Sequence, residues 1–307
     1  MLIEEVIVYG VVTGGMLALL ALGFTLIYGV AEVVNMAHGA LFMIGAYIYW
    51  FLTASDFPGL SLEPIQLNPI LAIIIAAILT AIIGMIIYKL VISPVIDDLI
   101  AALVATVGVI IILQETMIIQ FKANRWPVAA LTEPGFVTVL GVKVLYSQLL
   151  AVGVSLCIFA VLWIFINKSK IGSSMRAVAQ DREVAMLMGI NTERLYMLTM
   201  AISASIAAIA GVLYTASTSG FAYPHMWDTP LYLSFAIVIL GGLGSVKGTL
   251  LGAFIIAFTE KIFIVTMTGL GVSGADYLRS VVAMAVMVAV LLLRPKGLFG
   301  KRVEMEE

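Results

Sequence analysis

Four polar islands interrupt an otherwise apolar chain, and any chemistry it performs has to come from them. The first is VVNMAHGALFMIGAY, residues 33–47, where Glu32, Asn35 and His38 sit between two apolar runs with no room for an ordinary loop. Polar groups at membrane depth are expensive and normally face a cavity or each other. A broken helix that restarts near Ala37 or His38 fits this pattern. Its first N–H groups would be unpaired and partly positive, suited to the carboxylate of a passing substrate. The plainer alternative is a short cytoplasmic turn with Asn35 as an N-cap.

The second island is IGSSMRAVAQDREVAMLMGINTERLYML, from Ile171. Ser173 can cap a helix running to about Met188, Gly189 suits the position after its end, and Asn191 or Thr192 can cap the next helix. The expectation is one short helix outside the bilayer. Its apolar residues, among them Ala177, Val184, Ala185, Leu187 and Met188, are spread around the axis between Arg176, Asp181, Arg182 and Glu183. Such a surface suits contact on more than one side, and a solvated or membrane-surface helix is the alternative.

The third, ILGGLGSVKGTLLGAF from Ile239, resembles a phosphate loop only superficially, because Lys247 is followed by Gly248 and the G-x-x-x-x-G-K spacing is absent. No other Walker sequence occurs, so the chain cannot hydrolyse ATP by that chemistry. These glycines suit tight helix packing or a break in the membrane. The fourth is a pair of charged dipeptides inside apolar stretches, Gln114–Glu115 and Glu260–Lys261. Adjacent helical residues do not face each other, so Glu260–Lys261 is no obvious ion pair, and snorkelling to an interface accounts for both. With His38 and His225 as the two histidines and no carboxylate–histidine cluster, neither a metal site nor a hydrolase nor a cofactor is expected. Cys157 excludes an intrachain disulfide, and a net charge of −2 argues against nucleic acid as a partner.

The elements that must position these islands follow from composition. Hydrophobic residues make up 63% and charged residues 11%, against roughly a quarter charged in a soluble domain. The polar surface cannot coat a globule, so the chain reads as an all-α, polytopic integral membrane protein whose solvent is the lipid bilayer. A crossing needs about 20 apolar residues. Candidate spans lie near 6–29, 38–54, 70–90, 99–121, 145–166, 195–217, 230–243, 249–267 and 277–293, giving about 8–9 helices. The seventh and last are short enough to be re-entrant or tilted. Glu4 and Glu5 oppose a cleaved signal peptide.

Lys168, Lys170, Arg176, Arg182 and Arg194, with Arg294, Lys296, Lys301 and Arg302 in the tail, place residues 167–194 and the C-terminus in the cytoplasm by the positive-inside rule. Nine crossings would then put the N-terminus outside, with Asp56, Glu63 and Asp228 in external loops. Lys122, Arg125 and Lys143 in an outer loop run against that rule. A weak echo between HGALFMIGAYI, from His38, and KGTLLGAFII, from Lys247, is compatible with an inverted repeat or with chance. The whole chain, 1–307, reads as a single transmembrane domain with a cytoplasmic segment at about 168–194 and a tail at 294–307.

At these segments the sequence resembles the permease subunits of branched-chain amino-acid ATP-binding-cassette importers of the LivH type. The matching stretches are LGFTLIYGVAEVVNMAHGALFMIGAY from Leu22, MRAVAQDREVAMLMGIN from Met175, AIVILGGLGSVKGTLLGAF from Ala236 and LLLRPKGLFG from Leu291. They run through nearly the whole chain in the family's order. The resemblance implies a permease in a prokaryotic inner or plasma membrane, without enzymatic activity of its own. It makes the Met175 stretch a coupling segment that docks on an ATPase, with Arg176, Ala177, Asp181 and Gly189 as contacts. It places Asn35, Ala37, His38 and Gly39 on the translocation path. The implied partners are a second, LivM-like permease subunit, two ATP-binding-cassette ATPase subunits and an extracytoplasmic amino-acid-binding protein. The expected substrate is an aliphatic amino acid, with urea, amides or other amino acids as relatives. The outer loop around 122–134 and Glu115 depart from the family pattern. A secondary transporter or channel without an ATPase, and a non-transporting membrane scaffold, are the alternatives.

Overall fold

In lipid every backbone N–H and C=O must be satisfied within the chain, and continuous apolar runs meet that demand as helices. The computed structural model describes residues 2–56, 64–272, 274–294 and 297–299. Its helices are α1 (Leu2–Ala31), α2 (His38–Thr53), α3 (Pro69–Ile87), α4 (Leu99–Phe121), α5 (Tyr146–Lys168), α6 (Lys170–Val178), α7 (Arg182–Leu187), α8 (Thr192–Tyr214), α9 (Asp228–Gly241), α10 (Val246–Gly269) and α11 (Arg279–Leu293). A π-helical turn, Tyr88–Ile92, prolongs α3, and another, Thr215–Ser219, prolongs α8. Among the described residues six helices are long and apolar enough to cross a membrane: α1, α3, α4, α5, α8 and α10. The remaining apolar helices, α2, α9 and α11, have 16, 14 and 15 residues. Each expected span thus falls on a helix, and six rather than eight or nine have full crossing length. Glu63, Lys296, Lys301 and Arg302 lie outside the described residues.

Two small antiparallel sheets depart from a purely helical fold. β1 (Trp126–Pro127) pairs with β4 (Phe221–Ala222), and β2 (Phe136–Val139) pairs with β3 (Val142–Leu145). They close the loops that the apolar pattern left blank.

Burial sorts the helices into shells. The apolar windows of α1 and α8 are 67% buried and those of α4 and α5 only 17%, so the former pair forms the centre and the latter lies on the outside of the bundle. At the centre lies α2, in which every residue from His38 to Tyr47 is buried, so that all its faces are packed over that stretch. Small residues allow this closeness, as expected where lipid gives helices no hydrophobic reason to associate. A Cβ on Gly45 would stand 2.3 Å from the Ala208 Cα, and one on Gly211 would stand 2.1 Å from the Phe42 carbonyl oxygen. The turn between α9 and α10 uses Gly242 and Gly244 at φ +97° and +78°, and the backbones of Gly241 and Gly248 touch. Ser245 caps α10, and the hydroxyls of Thr25 and Thr249 meet at 2.6 Å. The glycines of this island therefore serve tight packing, with no phosphate cradle.

The bundle has two chemically different ends. At one, Gly29 touches Gly244, Lys89 pairs with Glu193 and Arg182 pairs with Asp97. At the other, the Tyr9 hydroxyl donates to the Lys143 carbonyl at 3.0 Å, and Trp50 packs on Trp126 and Phe121.

Candidate functional site

The break after α1 is the first site. Glu32 adopts φ +55°, a left-handed conformation that non-glycine residues avoid, and the helix stops there. α2 starts at His38, as the sequence suggests, but deep inside the bundle. The His38 Nε2 lies 3.0 Å from the Leu20 carbonyl oxygen, eleven residues or about 16 Å back along α1. A carbonyl can only accept, so Nε2 carries the proton. Ser203 Oγ sits 3.4 Å from Nδ1 and donates to the Gly23 carbonyl at 2.7 Å. Gly23 is required here, because a Cβ would stand 2.6 Å from the imidazole.

Asn35, Ala37, His38 and Gly39 are all fully buried and gather where α1, α2, α8 and α9 meet. Gly39 lies against Leu231 and Trp227, while Asn35 Nδ2 reaches Met200 Sδ at 3.4 Å and leaves its Oδ1 without a partner. Two local expectations need correction. The helix N-cap is Ala37, without a side-chain cap, so Asn35 is not a capping residue. The first N–H groups are also occupied: His38 donates to Asn35 O at 3.3 Å and Gly39 to Met36 O at 3.2 Å. A tight turn before the helix satisfies them, so they are not held free for a carboxylate.

The second site is the segment between α5 and α8. Instead of one helix from Ser173 to Met188, two short helices form. Ser169, not Ser173, caps α6 by accepting from Gly172 N at 2.8 Å. The chain turns at Ala179 and Gln180, and Asp181 caps α7 by accepting from Val184 N at 2.9 Å. Asp competes for backbone N–H groups best from a non-helical cap, so it breaks the run that its neighbours would continue. Gly189 at φ +85° ends α7, and Asn191 caps α8 by accepting from Arg194 N at 2.9 Å.

This pair of helices is braced against the bundle. Arg176 donates to the Ile166 carbonyl. Arg182 pairs with Asp97 and lies 5.8 Å from the Tyr196 ring centroid. The hydrogen bond to Asp97 holds the Arg182 guanidinium above its usual range. Arg176, Ala177, Asp181 and Gly189 thus shape one compact projection. The residues it offers outward are others: Leu187 is 86% and Met188 78% exposed, beside Val184 and Met186. Their signal in the sequence was a run of apolar residues directly before a helix-ending glycine.

Of the charged dipeptides, Glu260 is corrected. It is fully buried, with both carboxylate oxygens unpartnered, so it does not snorkel to an interface. Gln114 likewise turns inward and accepts from Trp227 Nε1 at 2.8 Å, whereas Glu115 is exposed. Among the described residues no group of three potential metal ligands occurs.

The model of the family described as branched-chain amino acid transport system / permease component matches residues 6–291. The chain is 30% identical to the high-affinity branched-chain amino acid transport system permease protein BraD of Pseudomonas aeruginosa, over 96% of this chain and 95% of that one. It is 29% identical to LivH of Escherichia coli K12, covering 95% and 94%. A probable LivH of Methanocaldococcus jannaschii is 26% identical over 98% and 92%. No solved structure matches. A match that spans both the broken helix and the projection between α5 and α8 supports one conclusion: the chain belongs to the permease-component family of branched-chain amino acid transport systems.

Proposed function

We propose that this chain is the membrane permease subunit of an ATP-binding-cassette importer that carries branched-chain, aliphatic amino acids across a prokaryotic inner or plasma membrane. The observation that carries the reading is the near full-length likeness to permeases named for that transport. The chain pairs with a LivM-like permease and encloses the pathway between them. Two separate ATPase subunits hydrolyse ATP, and an extracytoplasmic binding protein delivers the substrate. All of 1–307 forms one transmembrane domain.

The projection at about 168–194 is the coupling segment. Arg176, Ala177, Asp181 and Gly189 give it shape, while Leu187 and Met188 enter a groove on the ATPase. Supporting this is the placement of Lys89, Lys168, Lys170, Arg176, Arg182 and Arg194 at one end of the bundle, the sign expected of a cytoplasmic face. Crossing by all nine apolar helices of the described residues puts the N-terminus outside and the tail from residue 294 in the cytoplasm. Asn35, Ala37, His38 and Gly39 lie on the translocation path. The experiment is uptake of labelled leucine by a strain with this gene deleted. Uptake should drop and return with the wild-type gene but not with Leu187→Asp. Unchanged uptake in the deletion strain would remove leucine as the substrate.

A further inference from the structure

At the end of the bundle away from the α6–α7 projection lies a cavity of about 280 Å³. Drug-sized ligands occupy roughly 300–1,000 Å³, so this space suits one smaller molecule. Its walls include Thr132 and Glu133 in the loop before β2, Leu145 and Ser147 at the start of α5, and Ala216 and Ser217 in the π-helical turn that prolongs α8. Single π turns are rare and recur at functional sites.

The start of α5 favours negative charge. A helix leaves its first N–H groups without intrahelical partners, and they carry a partial positive charge. Here Leu145 N donates to the Gln148 side chain at 3.2 Å and Tyr146 N to the Gly135 carbonyl at 3.1 Å, which leaves the N–H groups of Ser147 and Gln148. Ser147 lines the cavity and is only 8% exposed, and its hydroxyl has no hydrogen-bond partner among the described residues. A buried hydroxyl in that state is costly, and a bound molecule in the cavity would relieve it.

The loop wall has the opposite character. Among the described residues that line the cavity, Glu133 alone is charged. The Tyr146–Gly135 hydrogen bond ties its loop to the helix start, and Gly135 is required there, because a Cβ would stand 2.4 Å from the Tyr146 ring. An inorganic anion would meet the Glu133 carboxylate, and a simple cation would meet the helix start. A small zwitterion satisfies both.

We infer that this cavity is a binding site for one free α-amino acid at the outer end of the permease: the first turn of α5 and the Ser147 hydroxyl take the α-carboxylate, Glu133 takes the α-ammonium group, and Leu145 and Ala216 face the aliphatic side chain. The inference rests on the importer reading above and adds a place where substrate is held before it enters the bundle.

The test uses the assembled transporter in nanodiscs without its binding protein, with labelled leucine as the probe. Wild type should bind leucine, while 4-methylpentanoate, which lacks the ammonium group, and 3-methylbutylamine, which lacks the carboxylate, should compete about tenfold or more weakly. Glu133→Gln should weaken leucine by a similar factor without weakening 4-methylpentanoate. Thr132→Trp, which fills the cavity from the loop, should abolish binding and serves if the first variant does not assemble. Wild-type leucine affinity in either variant, or a wild type that carries leucine but binds none, overturns the site and leaves the importer reading intact. Competition by glycerophosphoethanolamine, a soluble zwitterionic lipid headgroup, with none by unlabelled alanine or valine would make it a lipid site and overturn the proposal. A wild-type transporter that neither binds nor carries leucine overturns both readings.

Discussion

Gly211→Ala tests whether the buried centre depends on backbone contact between α2 and α8. The added methyl would stand 2.1 Å from the Phe42 carbonyl oxygen and 3.0 Å from its carbon, whereas ordinary contact begins near 3.4 Å. Backbone cannot rotate away as a side chain can, so the two helices must part along the whole seam that also holds Gly45 against Ala208. Overpacking of this kind costs about 3 kcal/mol, the upper part of its usual range. That corresponds to roughly 5 °C in melting temperature. Gly153→Ala is the matched control, because Gly153 is exposed on α5 and a Cβ there meets nothing within 4 Å. Removing a helical glycine should stabilise by up to about 1 kcal/mol. Thermal denaturation of fluorescently tagged protein, followed by size-exclusion chromatography, reads both. Opposite signs are expected, and a Gly211→Ala protein melting at or above wild type refutes the packing argument.

Asp181→Ala should loosen α7 by about 1 kcal/mol, the worth of an N-cap, and raise hydrogen exchange over 182–188, while Asp181→Asn keeps the protection. The Arg182–Asp97 pair is 40% and 79% exposed, so Arg182→Ala should cost at most about 1 kcal/mol. Because Asp97 raises the Arg182 pKa, its contribution is complete below the unfolded value and is lost only in strong alkali. The difference in melting temperature between Arg182→Ala and wild type should therefore be the same at about pH 6 and about pH 9. Gly23→Ala should displace His38 and impair assembly, read as lost expression of monodisperse protein; wild-type behaviour would contradict the contact at 2.6 Å.

Element positions were legible where physics is local. Apolar runs located the helices, Gly189 and Asn191 followed from capping chemistry, and the restart at His38 followed from the polar residues that interrupt the apolar run. Asp181 was misread because a hydrophobic count from Ser173 to Met188 does not register that an acid can end one helix and cap the next. Glu260 was assigned to an interface because an isolated charge does not reveal its helical face. The small residues at 252, 253 and 257 were the available sign that this face is buried. Gln114 and Trp227 are 113 residues apart, as Trp126 and Ala222 are distant partners across strands. No periodicity encodes such pairings.

The most direct test of the central claim is leucine uptake into vesicles containing this chain, its permease partner and the two ATPase subunits, with the binding protein outside. Uptake should require ATP on the side of the α6–α7 projection and should cease with Leu187→Asp although the permease pair stays assembled. Uptake by this chain without the ATPase subunits, driven by an ion gradient, would contradict the account.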